Sequence, residues 1–258
     1  MITSTTNTKI KWVRHLQAQR SARAAEGLFV IEGVRLAEEA ARAGAAPRLV
    51  LHTDDLDARG RAALAALAAT GAAVEAVSPA VMAAASDTRN PAGLLAVLPQ
   101  PALLVPDSLT LALVLDGLAD PGNLGTALRT AAAAGVEAVF LTPGTVDAFN
   151  PKVVRAAAGA HFQVPIVAAV WDALPSQLAG LAVWRAEANG DTPYDQVDWR
   201  PPSALLIGAE ADGPGPQAQA LAPRTTRIPM PGRAESLNAA IAAGVLLFEA
   251  VRQRIRES

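Results

Sequence analysis

Short apolar runs alternate with stretches of helical apolar periodicity along the whole chain, and they fall into two groups. The first group opens with a basic helix over roughly 9–25 and a short strand, LFVIEG, at 28–33. A helix (VRLAEEAARAG) follows to Gly44, then the strand RLVLH, the helix ARGRAALAALAATG, the strand AVEAVS and a short helix from Pro79. NPAGLLAVLP (90–99) supplies a last strand. This spacing predicts a small α/β layer domain over 1–98. Three prolines punctuate PQPALLVPDS, and the chain is divided there by a linker over 99–108.

The second group, 109–258, alternates again. TLALVLDG leads to a helix over 123–134, then VEAVFLT, a helix from near Asn150, FQVPIV, a helix around 172–180 and AVWRAEA. SALLIGAE, a helix around 215–221, TTRIPMP and a long helix from Ser236 complete it. Runs such as LALVLD, AVFLT and ALLIGA are continuously apolar, as strands of a parallel sheet covered on both faces must be. The fold class is therefore α/β, with a parallel-sheet domain at the C-terminal end. The final helix is apolar nearly all round until Arg252, which fits a core helix and fits a homodimer interface at least as well.

Composition narrows the chemistry. Half of the 258 residues are apolar and 18% are charged, so a proper core can form. Without cysteine there are no disulfides and no thiolate metal sites. His15, His52 and His161 lie too far apart for metal-ligand spacing, so no metal is expected. No apolar run reaches membrane-spanning length and the N-terminus lacks a signal-peptide core, so a soluble, cytoplasmic protein is expected. The net charge of −2 is unevenly placed: residues 1–105 hold 11 of the 22 Lys/Arg and 9 of the 24 Asp/Glu, leaving 11 and 15 for the rest. Lys9, Lys11, Arg14, Arg20 and Arg23 precede the first acidic residue. Such a stripe is either a solvated helix face or a grip for RNA phosphates.

Three loops carry polar groups after strands. DPGNLGTALR (120–129) sets Asn123 at a turn and Arg129 about a turn and a half into a helix, with neither G-x-G-x-x-G nor a Walker ending. A dinucleotide or triphosphate site is thus disfavoured, and an ordinary Asn cap with a surface arginine is the plain alternative. LLIGAEADGPG (205–215) places Glu210 in a glycine-rich loop after a buried strand. RIPMPGRAESLNAAIAAG (227–244) runs an extended segment into Ser236, the expected N-cap, with Asn238 in the first helical turn.

NxGxxxR at 123–129, IGAExxG at 207–213 and IPMxGxxxSLNAAIAAG at 228–244 resemble the three motifs of the SpoU (TrmH-like) RNA ribose 2′-O-methyltransferases of the SPOUT class. FNPKVVRAAAGAHFQVPI (149–166) resembles the region between them, and FVIEG with NPAGLLAV resembles the L30-like substrate-binding extension of the rRNA-directed members. The resemblance implies a deep trefoil knot in the C-terminal domain, an exception to unknotted connections. It also implies S-adenosylmethionine as cofactor, a homodimer formed through the catalytic domain, and rRNA as substrate. The alternatives are a tRNA ribose 2′-O-methyltransferase and a catalytically inactive RNA-binding protein of the same fold.

By the same resemblance Gly208, Ile228 and Leu237 contact the cofactor, with Thr142 and Met230 beside them. Arg129 is the essential group at the ribose hydroxyl, either as a desolvated base or as a stabiliser of the developing alkoxide. A guanidinium ordinarily keeps its proton, and its role is open between these two. Asn123, Glu210, Ser236 and Asn238 position Arg129 and the ribose. The 1–98 segment supplies RNA grip through Lys9, Lys11, Arg14, Arg20 and Arg23.

Overall fold

A computed structural model describes residues 1–208, 215–233 and 235–255. The chain forms two units, one from residues 1–102 with 147–162 and the other from 103–146 with 163–258. Residues 147–162, which the motif pattern groups with the C-terminal segment, make their contacts in the first unit.

In unit 1 the helices α1 (Thr8–Ala18) and α2 (Arg20–Glu26) lead into β1 (Leu28–Glu32). Then come α3 (Val34–Arg42), β2 (Leu49–His52), α4 (Ala58–Ala68), β3 (Ala73–Ala76), α5 (Pro79–Ala85) and β4 (Leu94–Pro99). The four strands lie in the order β1-β4-β2-β3, antiparallel except for the β2–β3 pair. Alternate residues of each strand face opposite sides. Leu28, Val30, Leu49, Leu51, Leu95 and Val97 pack under α1 and α5. Phe29, Ile31, Val50, Leu94, Ala96 and Leu98 pack under α3 and α4. The second face is completed from the later stretch: Val154 of α7 (Pro151–Ala157) is buried there, with Phe149 and Phe162 against it.

The single basic helix expected over 9–25 is instead two, broken at Gln19, which is extended (φ −114°, ψ 116°). Arg23 stabilises the break. Its Nη1 donates to the carbonyls of Leu16 (2.6 Å) and Gln17 (2.8 Å), two of the orphan acceptors at the end of α1.

Unit 2 holds β5 (Leu111–Leu115), α6 (Pro121–Ala133), β6 (Ala138–Leu141), β7 (Ile166–Ala168), α8 (Leu174–Gln177) and β8 (Ala182–Ala186). It continues through β9 (Thr192–Pro193), β10 (Ser203–Ile207), α9 (Pro216–Leu221), β11 (Arg224–Arg227) and α10 (Ala239–Ile255). Among the described residues its seven strands are parallel in the order β7-β6-β5-β10-β8-β11-β9, so β10 sits out of chain order between β5 and β8. Every residue of β5, β6 and β10 is buried, as continuously apolar parallel strands require. One face packs on α8 and α9 through Leu174, Leu178, Ala218 and Ala222. α10 packs against α6 and β10, and its alanines Ala239, Ala240, Ala243 and Ala250 are buried. Its far side is not covered: Ile241, Phe248 and Ile255, seven residues apart, are 53%, 49% and 68% exposed. Among the described residues no helix is long and apolar enough to cross a membrane.

Candidate active site

The carboxyl ends of adjacent parallel strands are where α/β sheets accept ligands. In unit 2 the ends of β8, β10 and β11 open into a cavity of about 400 Å³, closed on the other side by the start of α10. Gly208 follows β10 and Ile228 and Met230 follow β11, and all three line it with Ser236 and Leu237. The apolar wall is completed by Ile207 and Leu246, and the polar wall includes Glu187, Asn189 and Glu235. Five residues singled out by the motifs therefore meet at one hollow.

Thr142 does not join them. It ends β6, which β5 separates from β10 in the sheet. Its hydroxyl donates to Asp116 Oδ1 (2.7 Å) and accepts from the Gly117 amide (3.2 Å), bracing the ends of β5 and β6. Thr142 is a structural residue of that edge and not part of the cavity wall. Glu210 lies outside the described residues.

The first and third motifs meet through their asparagines. The cap of α6 is Asp120, whose Oδ1 accepts from the Asn123 amide (2.7 Å), with Pro121 at the first helical position. Asn123 is thus not the cap, and its Oδ1 accepts from Asn238 Nδ2 at 2.8 Å. Asn238 in turn caps α10: its Oδ1 accepts from the amides of Ala240 (3.0 Å) and Ile241 (3.3 Å). The expected cap, Ser236, falls before the helix and stands in the cavity wall instead. Asn satisfies α10's first amides as well as Ser would, and it offers a second polar end that Ser lacks.

Arg129 is exposed on α6, outside the cavity lining, with no hydrogen bond or ion pair among the described residues. Lys11, Arg14 and Arg20 are exposed and likewise unpaired among the described residues, while Lys9 pairs with Glu75. Arg23 departs from the expected RNA grip. It is 3% exposed, and Nε and Nη2 donate to Asp147 Oδ2 at 2.8 and 2.6 Å, so its charge is consumed inside unit 1.

Glu187 lines the cavity without any motif to mark it. AVWRAEA predicts a strand, but nothing in the chain states that β8 lies next to β10 and β11, which is what brings the residue after its end to the cavity. Among the described residues no group of three or more His, Asp or Glu side chains could hold a metal.

Comparison with known proteins matches this geometry to a family. Residues 110–248 match the SpoU rRNA Methylase family, and residues 7–96 match the MRM3-like substrate binding domain. The chain is similar to the 23S rRNA (guanosine(2553)-2′-O)-methyltransferase RlmP of Bacillus subtilis, at 32% identity over 96% of this chain and 97% of that one. It superposes on the AdoMet-bound rRNA methyltransferase of Sinorhizobium meliloti with a TM-score of 0.86 and 33% identity, covering 97% of each chain. The SpoU methyltransferase AviRb of Streptomyces viridochromogenes, in complex with AdoMet, superposes with a TM-score of 0.86 at 28% identity over 96% of this chain and 98% of that one.

Proposed function

We propose a function from a single premise: this chain belongs to the SpoU rRNA Methylase family. It is an S-adenosylmethionine-dependent RNA ribose 2′-O-methyltransferase acting on rRNA, and we assign it a 23S-type target. The observation that carries the reading is the cavity of unit 2, built from the second and third motifs and tied by Asn238 to the first.

The cavity suits the cofactor by chemistry. Ile207, Ile228, Leu237 and Leu246 offer an apolar surface for a base and a thioether chain, while Glu187 and Glu235 offer acceptors for hydroxyl and ammonium groups. When bound, S-adenosylmethionine supplies an electrophilic methyl on a sulfonium sulfur, which a ribose oxygen can take without a metal. The protein's share is to hold that oxygen in line and to manage its proton. Asn123, held by Asn238, sits at the first turn of α6 and orients the ribose. Arg129, unpaired among the described residues, is available to the hydroxyl as it loses its proton. Ser236 in the wall, and Glu210 outside the described residues, are further positioning groups of this reading.

We assign unit 1 to RNA grip, through Lys11, Arg14 and Arg20 with Lys9 beside them. We read the displaced strand β10 as the threaded part of a trefoil knot, and the bare stripe Ile241–Phe248–Ile255 as the seam of a homodimer. We place the reaction where ribosomal RNA is made, in the cytoplasm. Ribose-methylation mapping of ribosomal RNA from cells with and without the gene tests the assignment. One 23S-type ribose should lose its methyl group in the deletion, and identical maps would overturn it.

A further inference from the structure

We infer that Glu187 binds the ribose hydroxyls of the cofactor, as the specificity residue of the cavity for a nucleoside. The inference rests on the cavity being the S-adenosylmethionine site. Glu187 is the first residue beyond β8 and is held from two directions. Its amide donates to the Thr226 carbonyl (2.9 Å), and Arg185 Nε donates to Oε1 at 2.6 Å. Arg185 is buried, with Nη1 donating to the Ala222 carbonyl, so it cannot swing away.

The loop beyond is clamped as well. A Cβ on Gly190 would lie 2.6 Å from the Thr226 carbonyl carbon, so only glycine lets the loop press on β11. Arg227 Nη1 donates to the carbonyls of Gly190 (2.5 Å) and Asp191 (2.7 Å), and Thr225 Oγ1 donates to Asp191 Oδ2 (2.7 Å). A preorganised acceptor loses little entropy on binding.

The charge state selects the ligand group. Arg185 neutralises Glu187 and engages Oε1, while Oε2 makes no hydrogen bond among the described residues. An ion pair with no net charge has little attraction for a sulfonium or an ammonium, yet its spare oxygen still accepts strongly from hydroxyls. A carboxylate near the end of a parallel strand receives ribose hydroxyls in this way in dinucleotide folds. Glu235, in the same wall, is exposed and has no cationic partner among the described residues, so its full charge is left for the cationic end.

Calorimetry on the full chain tests this with S-adenosylhomocysteine, with 5′-methylthioadenosine, which lacks the amino-acid end, and with its 2′,3′-dideoxy form. Glu187→Gln keeps an oxygen for Arg185 and removes the charge. Both hydroxyl-bearing ligands should lose roughly tenfold in affinity by the same factor, as expected for a charge-assisted hydrogen bond. The dideoxy form should bind the wild type more weakly than its parent and bind both proteins alike. That wild-type comparison holds even if the variant melts early. Unchanged affinities, or a loss confined to S-adenosylhomocysteine, would overturn the inference. Failure of the wild type to bind any of the three would overturn the cofactor reading itself, and this inference with it.

Discussion

Asn238 Nδ2 donates to Asn123 Oδ1 at 2.8 Å, across 115 residues of chain, while the other end of the Asn238 amide caps α10. One side chain therefore fixes the start of the helix that walls the cavity and the first turn of the helix that carries Arg129.

The two asparagines should separate in their effects. Asn238→Ala removes a cap and should cost about 1 kcal/mol of stability. Asn123→Ala leaves that cap intact and should melt close to the wild type. Both should slow single-turnover methyl transfer by roughly 10- to 100-fold, because the ribose is no longer held in line. Equal melting temperatures for the two variants would show that Asn238 is not the working cap.

Arg129→Ala should leave stability and cofactor affinity unchanged, since the side chain has no partner among the described residues and lies outside the cavity lining. Methyl transfer should fall by roughly 10²–10³-fold or more, the usual loss when a group that stabilises developing charge is removed. Near-normal turnover in a single-turnover assay would remove Arg129 from the mechanism.

The basic residues of the first 25 positions should divide into two kinds. Arg23→Met strands Asp147 and leaves the end of α1 unsatisfied, so unfolding should become easier by about 3–5 kcal/mol. Lys11→Ala and Arg14→Ala should leave stability alone. Each should lower the slope of log affinity against log salt for the RNA by about one phosphate contact. An unaltered salt slope in the double variant would place the RNA elsewhere.

His161 is enclosed in unit 1 beside Phe29 and Phe149, and burial pushes its pKa down from 6.5 to about 4 despite the Ala148 carbonyl at 2.7 Å. A carbonyl only accepts, so Nε2 carries the proton of the neutral ring. Below pH 6.5 the unfolded chain protonates this residue and the folded chain does not, so stability falls as pH drops, and the loss levels off below about pH 4. The shift corresponds to about 3 kcal/mol at most. Urea unfolding of the wild type and His161→Phe at pH 7.5 and 5 should show a steeper acid loss in the wild type.

Phe248→Glu places a charge in the middle of the bare stripe on α10 without touching a buried residue. Sedimentation should then report a monomer for the variant and a dimer for the wild type. A wild type that sediments as a monomer at micromolar concentration would rule out the seam.

Much of this was legible in the chain because parallel strands and capped helices write local signals. LALVL, AVFL and SALLI formed buried strands within a residue or two of their apolar runs. Asp120-Pro121 is also a local cap signature, and it lies three residues ahead of Asn123, the other cap the loop offers. Neighbour relations across the sheet are not local. The sequence does not say that β10 lies between β5 and β8, and that order brings Glu187 to the cavity while leaving Thr142 outside it. Arg23 sits among cations in the sequence, but its partner Asp147 is 124 residues away, so the pairing leaves no trace nearby. The two-residue strand β9 has no periodicity to detect.

The makeup of unit 1 also constrains how the protein can be born and cut. Phe149, Val154 and Phe162 complete a core begun by Phe29 and Ile31, yet the ribosome makes residues 103–146 of the other unit in between. The N-terminal unit must wait, with one face of its sheet unfinished, until residue 162 has left the exit tunnel. A fragment ending at the proline-rich linker would keep that face bare and be prone to self-association.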